Sequence, residues 1–576
     1  MPHNGIALRS LLRQAVPPLP ERAHLLLKRA EAALWRDDWA GSVKRLRLQE
    51  HDWIEELARQ NSKRCGRKHV LIFSLQQVPP WLDVECSLAA ALRLRGHVVD
   101  GILCDGLLPL CEMALGPTER PPCGVCVGWL ARYEEAFGFR FSRLTDFVSK
   151  EDKDFAERRV AEVSNARLST LVFEDVDVGR LVRRELQRYY RGFVFEPADD
   201  PAYRPWLVSA VLLVRLASRL LARNHPDIVV TANGRTLPSA CLRAVASLRG
   251  IHVVTWDTEP SHADGLVFSH NEAAVEIPLD EAWRDLSTQR LTEGQVQELR
   301  EFLRRWSRSE ITPHPYNPAP LDDLASIRAR LTLRPAAPMV VAFTNSAWDM
   351  AIVDRDVGFE SMFDWLFALV EYAASHPEVD LVVRAHPSET NVSPDLRSRT
   401  PVGAEILKRY APLPDNIKLV EGQSPISSYA LADMAQVVMV YASRIGLEVA
   451  LRGKRPWLAG DMTYRGKGFT RDLISKRQMI ELLETRTEDD ALSAHEIELA
   501  EQFAYLWFFR YVTRLPLLRP SGRPFALRTF QELAPGGHPV IDKLCEALVT
   551  GAPFVDLRSA PSAVGGQRVR ETVRSH

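Results

Sequence analysis

A surplus of charge is missing from this chain. Its 73 Lys and Arg stand against 74 Asp and Glu, a net charge of -1, which argues against a dedicated nucleic-acid binder. Cysteine is scarce, with eight in 576 residues. That is too few for a disulfide framework, so a reducing compartment is expected. The best apolar run, WLVSAVLLVRLASRLLA from Trp206, is broken by Arg215 and Arg219 and reads as a buried helix instead of a membrane span. The start of the chain carries no basic-then-apolar signal with a small-residue cleavage site, so export is not expected. There is no internal repeat of short period, no Walker phosphate loop, no His-Glu-x-x-His and no Gly-x-Ser-x-Gly.

What is present is an ordinary globular composition, 46% hydrophobic and 26% charged, in a chain too long for one core. Residues 1–65 look helical. Over residues 1–70, 14 basic against 8 acidic residues leave a local +6. That suits either a solvated helix surface or an anionic partner such as a lipid headgroup. From residue 66 a βα rhythm begins, with strands HVLIFSL (69–75), HVVDGILC (97–104), DIVVTA (227–232) and IHVVTW (251–256). A charged helix and the proline-rich ITPHPYNPAPLDD suggest a linker over 286–335. The rhythm restarts with MVVAFT (339–344), DLVVRA (380–385), NIKLVE (416–421), QVVMVY (436–441) and RPWLAG (455–460). Strands alternating with helices imply parallel sheets covered on both faces. The expected fold is therefore α/β: two doubly wound Rossmann-type domains, 66–285 and 336–500, facing a central cleft. The helical segment 1–65 precedes them, and helices over 501–556 and a disordered tail over 557–576 follow. Ligands of such sheets bind beyond the carboxyl ends of the strands.

Those strand ends are polar in the C-terminal half. VVRAHPSE ends in Arg384 and His386, one permanently cationic and one tunable, and Pro387 stops the strand. FTNSAWD brings Thr344, Asn345 and Ser346. QVVMVY runs into Ala442-Ser443, with Ser443 as a helix N-cap, Gly446 in the first turn leaving the backbone open to close approach, and Glu448 within reach of a sugar diol. Together these point to an anion-binding donor site made of Asn345, Arg384, His386, Ser443, Gly446 and Glu448. In the N-terminal half DIVVTA ends in Asn233-Gly234-Arg235, and IHVVTW in Asp257-Thr258-Glu259-Pro260. Asn233, Arg235 and Gln76 are the candidates for the cleft or acceptor side. Glu259, and after it Asp257, is the candidate base for an acceptor hydroxyl. Cys104, Cys111, Cys123 and Cys126 fall within 23 residues. Cys123-x-x-Cys126 has zinc-knuckle spacing, so a closed structural zinc site is one expectation and reduced buried thiols are the other. Asp175-Val176-Asp177 matches an Asp-x-Asp triplet but is common by chance.

The succession His386-Pro387, Ala432-Asp433, Ser443 with Gly446 and Glu448, Gly453-Lys454 with Pro456, Gly460, Tyr464, and Gly468 with Thr470 resembles that of capsule polysaccharide biosynthesis proteins. These are bacterial glycosyltransferases of the two-Rossmann GT-B fold and include Kdo transferases that use CMP-Kdo. The resemblance implies that the C-terminal domain binds a nucleotide-sugar donor, with His386 and Ser443 on the phosphate and Glu448 near the ribose. The family's Ser-Ser or Asn-Ser is Ala442-Ser443 here, one hydroxyl fewer. The implied activity is transfer of a sugar to a glycan or lipid-linked acceptor hydroxyl, with no cofactor required for catalysis. The implied location is cytoplasmic or peripheral at the inner membrane, with no nucleic-acid partner. Two alternatives stand beside it: an isomerase resembling the UDP-sugar 2-epimerases, and a non-catalytic subunit of a polysaccharide assembly complex.

Overall fold

The computed structural model describes residues 39–555, apart from 64–65, 76–78, 80, 115, 117–122, 139, 195–199, 260, 263, 309, 312–319, 391, 393–396, 486–489 and 516–526. Gln76, most of the proline-rich run and the tail 557–576 lie outside the described residues. Of the N-terminal helical segment, helices Trp39–Gln49 and His51–Asn61 are described.

Eight strands form in the first half: β1 (His69–Ser74), β2 (Val98–Leu103), β3 (Ser142–Arg143), β4 (Val172–Phe173), β5 (Val176–Asp177), β6 (Ile228–Ala232), β7 (His252–Thr258) and β8 (Gly265–His270). Seven follow: β9 (Met339–Phe343), β10 (Asp380–Arg384), β11 (Ile417–Val420), β12 (Val437–Val440), β13 (Pro456–Leu458), β14 (Arg471–Asp472) and β15 (Thr513–Arg514). The second sheet has the order β11-β10-β9-β12-β13-β14, parallel throughout. Its inner strands MVVAF, DLVVR and VVMV are buried at every position and apolar apart from Asp380 and Arg384 at the two ends of β10. A strand covered on both faces requires that pattern. The order reverses between β9 and β12, the point at which doubly wound sheets open a crevice for ligands.

The first sheet has the order β15-β8-β7-β6-β1-β2-β3. Its β3 to β7 portion is parallel, whereas β7–β8 and β8–β15 are antiparallel. A purely parallel sheet was expected, because β8 follows β7 through a short turn with no helix to announce it. Each sheet is covered on both faces by its own apolar cluster. Helix Tyr203–Asn224 is long and apolar enough to cross a membrane by length and composition. It lies in the core instead, with 72% of that window buried.

The span 286–335 holds helices Glu293–Ser307 and Leu324–Leu331, so it is not wholly irregular. After helix Ala494–Tyr505 the chain makes a wide π-type turn over Leu506–Tyr511 and returns to the first domain. There Thr513–Arg514 pairs with Gly265–Leu266, and helix Pro539–Thr550 joins the apolar layer around helix Trp81–Leu94. The result is a GT-B-type arrangement of two Rossmann-like domains across a cleft, crossed twice by the chain.

Candidate functional site

Register aligns the donor-side strand ends. Phe343 lies opposite both Arg384 and Val440, so residues 344–346, 385–387 and 441–443 emerge along one edge. Thr344, Asn345, residues 385–387, Ala442 and Ser443 line a cavity of about 890 Å³ between the domains, together with Glu276, Trp306, Arg355 and Arg444. Its volume lies in the range of small-molecule sites. Five of the six donor-site candidates (Asn345, Arg384, His386, Ser443 and Glu448) line it.

Each does something different there. Asn345 staples two strand ends: its Nδ2 donates to the Ala442 carbonyl at 2.8 Å and its Oδ1 accepts from the Ala442 N–H at 3.1 Å. Arg384 is 2% exposed. Its Nη atoms donate to the carbonyls of Glu421 and Ser424, and its Nε has no partner among the described residues. No carboxylate among the described residues pairs with it. Burial lowers its pKa to about 10, which still leaves it charged at neutral pH. A buried cation without an ion pair therefore lies at the cavity, with Glu389 and Glu421 acting on it from farther off, and it attracts an anion.

His386 is half-buried. Its Nδ1 accepts from the backbone N–H of Ser388 at 3.1 Å and meets the Ser388 hydroxyl at 2.6 Å. Since a backbone N–H only donates, the ring proton resides on Nε2. Burial, with Arg384 and Arg444 adding to it, lowers the imidazole pKa to about 4. His386 is thus a neutral Nε2–H donor at neutral pH, and the positive charge comes from its neighbours. The Ser443 hydroxyl has no partner among the described residues. Ser443 was expected to cap a helix, but Arg444 is the residue before Ile445–Ala450, with no side-chain cap, and that helix is only six residues long. The hydroxyl is left facing the cavity. Gly446 is needed for a different reason than ligand approach: a Cβ there would sit 2.2 Å from the Tyr464 hydroxyl, which donates to the Ser443 carbonyl at 2.6 Å. Glu448 accepts from the Tyr429 hydroxyl, and burial raises its pKa despite that bond and Arg444.

On the opposite rim Asn233 adopts φ +61° and Gly234 φ +93°. A Cβ on Gly234 would lie 2.7 Å from Ala273 Cα, so this left-handed turn demands glycine. Asn233 Nδ2 donates to Asp257 Oδ2 at 2.7 Å, and Thr258 N–H donates to Asp257 Oδ1 at 2.7 Å. Burial raises the Asp257 pKa to about 6, and the nearby Asp349 charge adds to this against the two bonds. Arg235, 7% exposed, ion-pairs with Glu276 and crosses to the other domain to donate to the Met350 and Val353 carbonyls. Glu259, 2% exposed, accepts from Ser261 N–H at 2.8 Å, from the Ser261 hydroxyl, and from Arg444 Nη2 at 2.6 Å. Both of its oxygens are engaged, and neither Glu259 nor Asp257 lines the cavity itself.

Sequence reasoning passed over Arg444, Arg355 and Asp349. Arg444 lies between Ser443 and Ile445 and is caged by Trp306, Trp507 and Phe508 at 5.0, 5.4 and 5.8 Å. Nothing local marked it, because its cage and its Glu259 partner come from distant segments. Among the described residues, no group of three or more His, Cys, Asp or Glu side chains could hold a metal ion. Burial raises the Cys104 thiol to about 11 and raises Cys111 further, the protonated state that buried sulfur prefers without a metal. Asp175 and Asp177 belong to the β4–β5 hairpin region, where Asp177 caps helix Val178–Tyr190 through Arg180 N–H at 3.0 Å. A second cavity, about 690 Å³, lies on the other face of the 344–361 loop and is lined by Arg183, Arg184, Asp354, Asp356 and Lys476 among others.

No protein-family model matches the chain, and no curated protein does. Among solved structures, the KpsC β-Kdo 2,4 transferase of Thermosulfurimonas dismutans is 13% identical at a TM-score of 0.33, over 48% of this chain and 79% of that one. The UDP-GlcNAc 2-epimerase of Neisseria meningitidis, bound to UDP-GlcNAc, is 12% identical at 0.24, over 76% and 98%. The spinosyn rhamnosyltransferase SpnG is 14% identical at 0.24, over 76% and 95%. Transferases and isomerases both appear at comparable, low similarity, so the chemistry must be argued from the site.

Proposed function

We propose that the chain is a nucleotide-sugar-dependent glycosyltransferase, with the 890 Å³ cavity as its donor site. One observation carries this reading: a neutral imidazole donor at His386 and a Ser443 hydroxyl without a partner among the described residues share that cavity with the buried guanidinium of Arg384, which has no ion pair among them. A leaving phosphate fits that combination, since its developing charge is held by fixed donors and a cation. Glu448 and Tyr429 at the far end suit a ribose diol.

The acceptor hydroxyl, approaching over the N-terminal rim outside the donor cavity, attacks the anomeric carbon, its proton passes to Asp257 on that rim, and the carbon–phosphate oxygen bond breaks with its electron pair on the phosphate. Asp257 suits this part because its pKa of about 6 lies close to neutrality. Glu259, bound to Arg444, acts as a positioning residue that fixes the two domains' rims together. A CMP-linked donor, a glycan or lipid-linked acceptor of surface-polysaccharide assembly, and a cytoplasmic or membrane-peripheral location complete the reading. All three rest on the resemblance.

The experiment is a thermal-shift panel of CMP-, UDP-, GDP- and dTDP-linked sugars, because a ligand that binds only the native state raises its melting temperature. At least one should raise it, and His386→Ala should abolish the gain. A full shift retained in His386→Ala would refute the phosphate assignment. Interconversion of a free UDP-sugar without acceptor would make the chain an isomerase.

A further inference from the structure

The geometry points to Asp349 as a second catalytic carboxylate, supplied by the C-terminal domain and paired across the cleft with Asp257. The inference rests on the donor-site reading above. Asp349 lies on the loop after β9, and its exposed side chain lines the donor cavity. Only its Oδ1 is engaged, accepting from Ala351 N–H at 2.9 Å. Its Oδ2 has no partner among the described residues. The other carboxylates lining the cavity are differently placed. Glu276 is held by Arg235, Glu448 by Tyr429 and Asp433 by Arg452, and Asp322 acts on Arg452 at the Glu448 end.

One short stretch of the other domain positions both members of the pair. Asn233 holds Asp257, and Arg235, two residues on, holds the 349–353 loop through the Met350 and Val353 carbonyls. The stretch is fixed by the left-handed turn at Asn233-Gly234 and by Asn233 Oδ1, which accepts from the N–H groups of Arg235 and Thr236 at 2.9 and 3.2 Å. A backbone conformation disfavoured for a non-glycine residue persists where its surroundings over-determine it, and such places gather at functional sites. Partial desolvation of its carboxyl beside the cavity wall raises the proton affinity of Asp349, and the Ala351 N–H and the charge of Arg235 on the facing turn lower it. Asp257 feels Asp349, Asn233 and Thr258.

Glycosyl transfer passes through an oxocarbenium-like transition state. As the carbon–phosphate oxygen bond breaks and the acceptor oxygen–carbon bond forms, positive charge develops on the sugar ring. Asp349, on the donor side, remains a carboxylate and stabilises that charge, while Asp257 takes the acceptor's proton. Atoms and charge balance without a further reagent.

The test uses the full chain with Asp349→Asn and Asp349→Glu. The first readout is turnover of whichever sugar nucleotide gives the largest shift in the panel. The second is affinity for CMP and UDP. The third is a carbon-13 carboxyl titration of Asp257. The expected result for Asp349→Asn is a turnover loss of roughly 10²–10³-fold, the usual cost of removing a transition-state charge stabiliser. Nucleotide affinity should be unchanged, the Asp257 pKa should fall below its value of about 6, and Asp349→Glu should restore part of the rate. Unchanged turnover would overturn the proposal, and so would loss of CMP or UDP binding in step with turnover. If no sugar nucleotide binds the wild type, the donor-site reading fails separately. The titration then decides the pair: a shift in Asp349→Asn supports it, and an Asp257 indifferent to residue 349 removes it.

Discussion

The two rims of the cleft end their strands in opposite chemistry. On the C-terminal rim Arg384 is buried without an ion pair, His386 is a neutral donor, and Ser443 offers an unpartnered hydroxyl. On the N-terminal rim β7 ends in two carboxylates with contrasting surroundings. Glu259 has both oxygens engaged by Ser261 and Arg444. Asp257, two residues earlier, is held by an amide and a backbone N–H and meets no cation, so burial raises its proton affinity. The difference shows how a parallel α/β scaffold divides labour. One rim carries a buried cation without an ion pair for a leaving anion, and the other carries a carboxylate poised to take a proton. A cation that would have quenched that carboxylate is instead tied to its neighbour.

The comparison breaks most sharply at Asp257. Asp257→Asn should lower turnover by about 10²–10⁴-fold, the range for removal of a general base, while nucleotide affinity holds. Steady-state kinetics alongside calorimetric binding checks this. The pH profile sharpens the same point. A base with a pKa of about 6 must be deprotonated, so the rate should rise through that pH and level above it. The sign for stability is opposite. The folded pKa lies above the ordinary carboxylate value, so the native state binds the extra proton between about pH 4 and pH 6. The stabilisation from this group is therefore present below that window and declines as pH rises through it. Urea unfolding across those pH values should show a steeper slope in the wild type than in Asp257→Asn, the remainder in both coming from groups such as Asp83, which burial also raises to about 6.

Glu259→Gln tests the locked carboxylate. Removing the charge leaves the half-buried Arg444 in its aromatic cage without its ion-pair partner, a change whose fully buried limit is about 3–5 kcal/mol. Stability should fall by up to that amount, and KM should respond more than kcat, whereas a true base would show the reverse. Arg384→Met separates binding from stability on the other rim. Met fills the space and removes a buried charge, but the Glu421 and Ser424 carbonyls lose their donor, so the melting temperature should fall modestly. Nucleotide affinity should drop by about 10–100-fold, the equivalent of one charged hydrogen bond. The smallest effect belongs to Ser443→Ala, which removes one neutral hydrogen bond of about 1 kcal/mol and should weaken binding by about fivefold.

Much of this was legible in the chain because parallel strands must be apolar on both faces. DLVVR and VVMV announce themselves, and so does the point where each run stops. His386 and Ser443 were visible as polar interruptions of that rule. Three things were not. β15 is two residues long, and its pairing with β8 is a tertiary event with no local pattern. Ser443 looked like a cap by residue type, but the helix starts one residue later and is too short to use it. Asp349 and Arg444 derive their meaning from Arg235 and Glu259, partners 114 and 185 positions away in the chain. No short-range spacing encodes such a pairing.

The central claim is that the C-terminal strand ends hold the phosphate of a nucleotide sugar. A crystal structure of the full chain with the best-binding sugar nucleotide tests it most directly. The account predicts the phosphate within hydrogen-bond reach of His386 Nε2 and Ser443 Oγ, with the ribose toward Glu448. A nucleotide seated instead in the second cavity, against Arg183, Arg184 and Lys476, would contradict it.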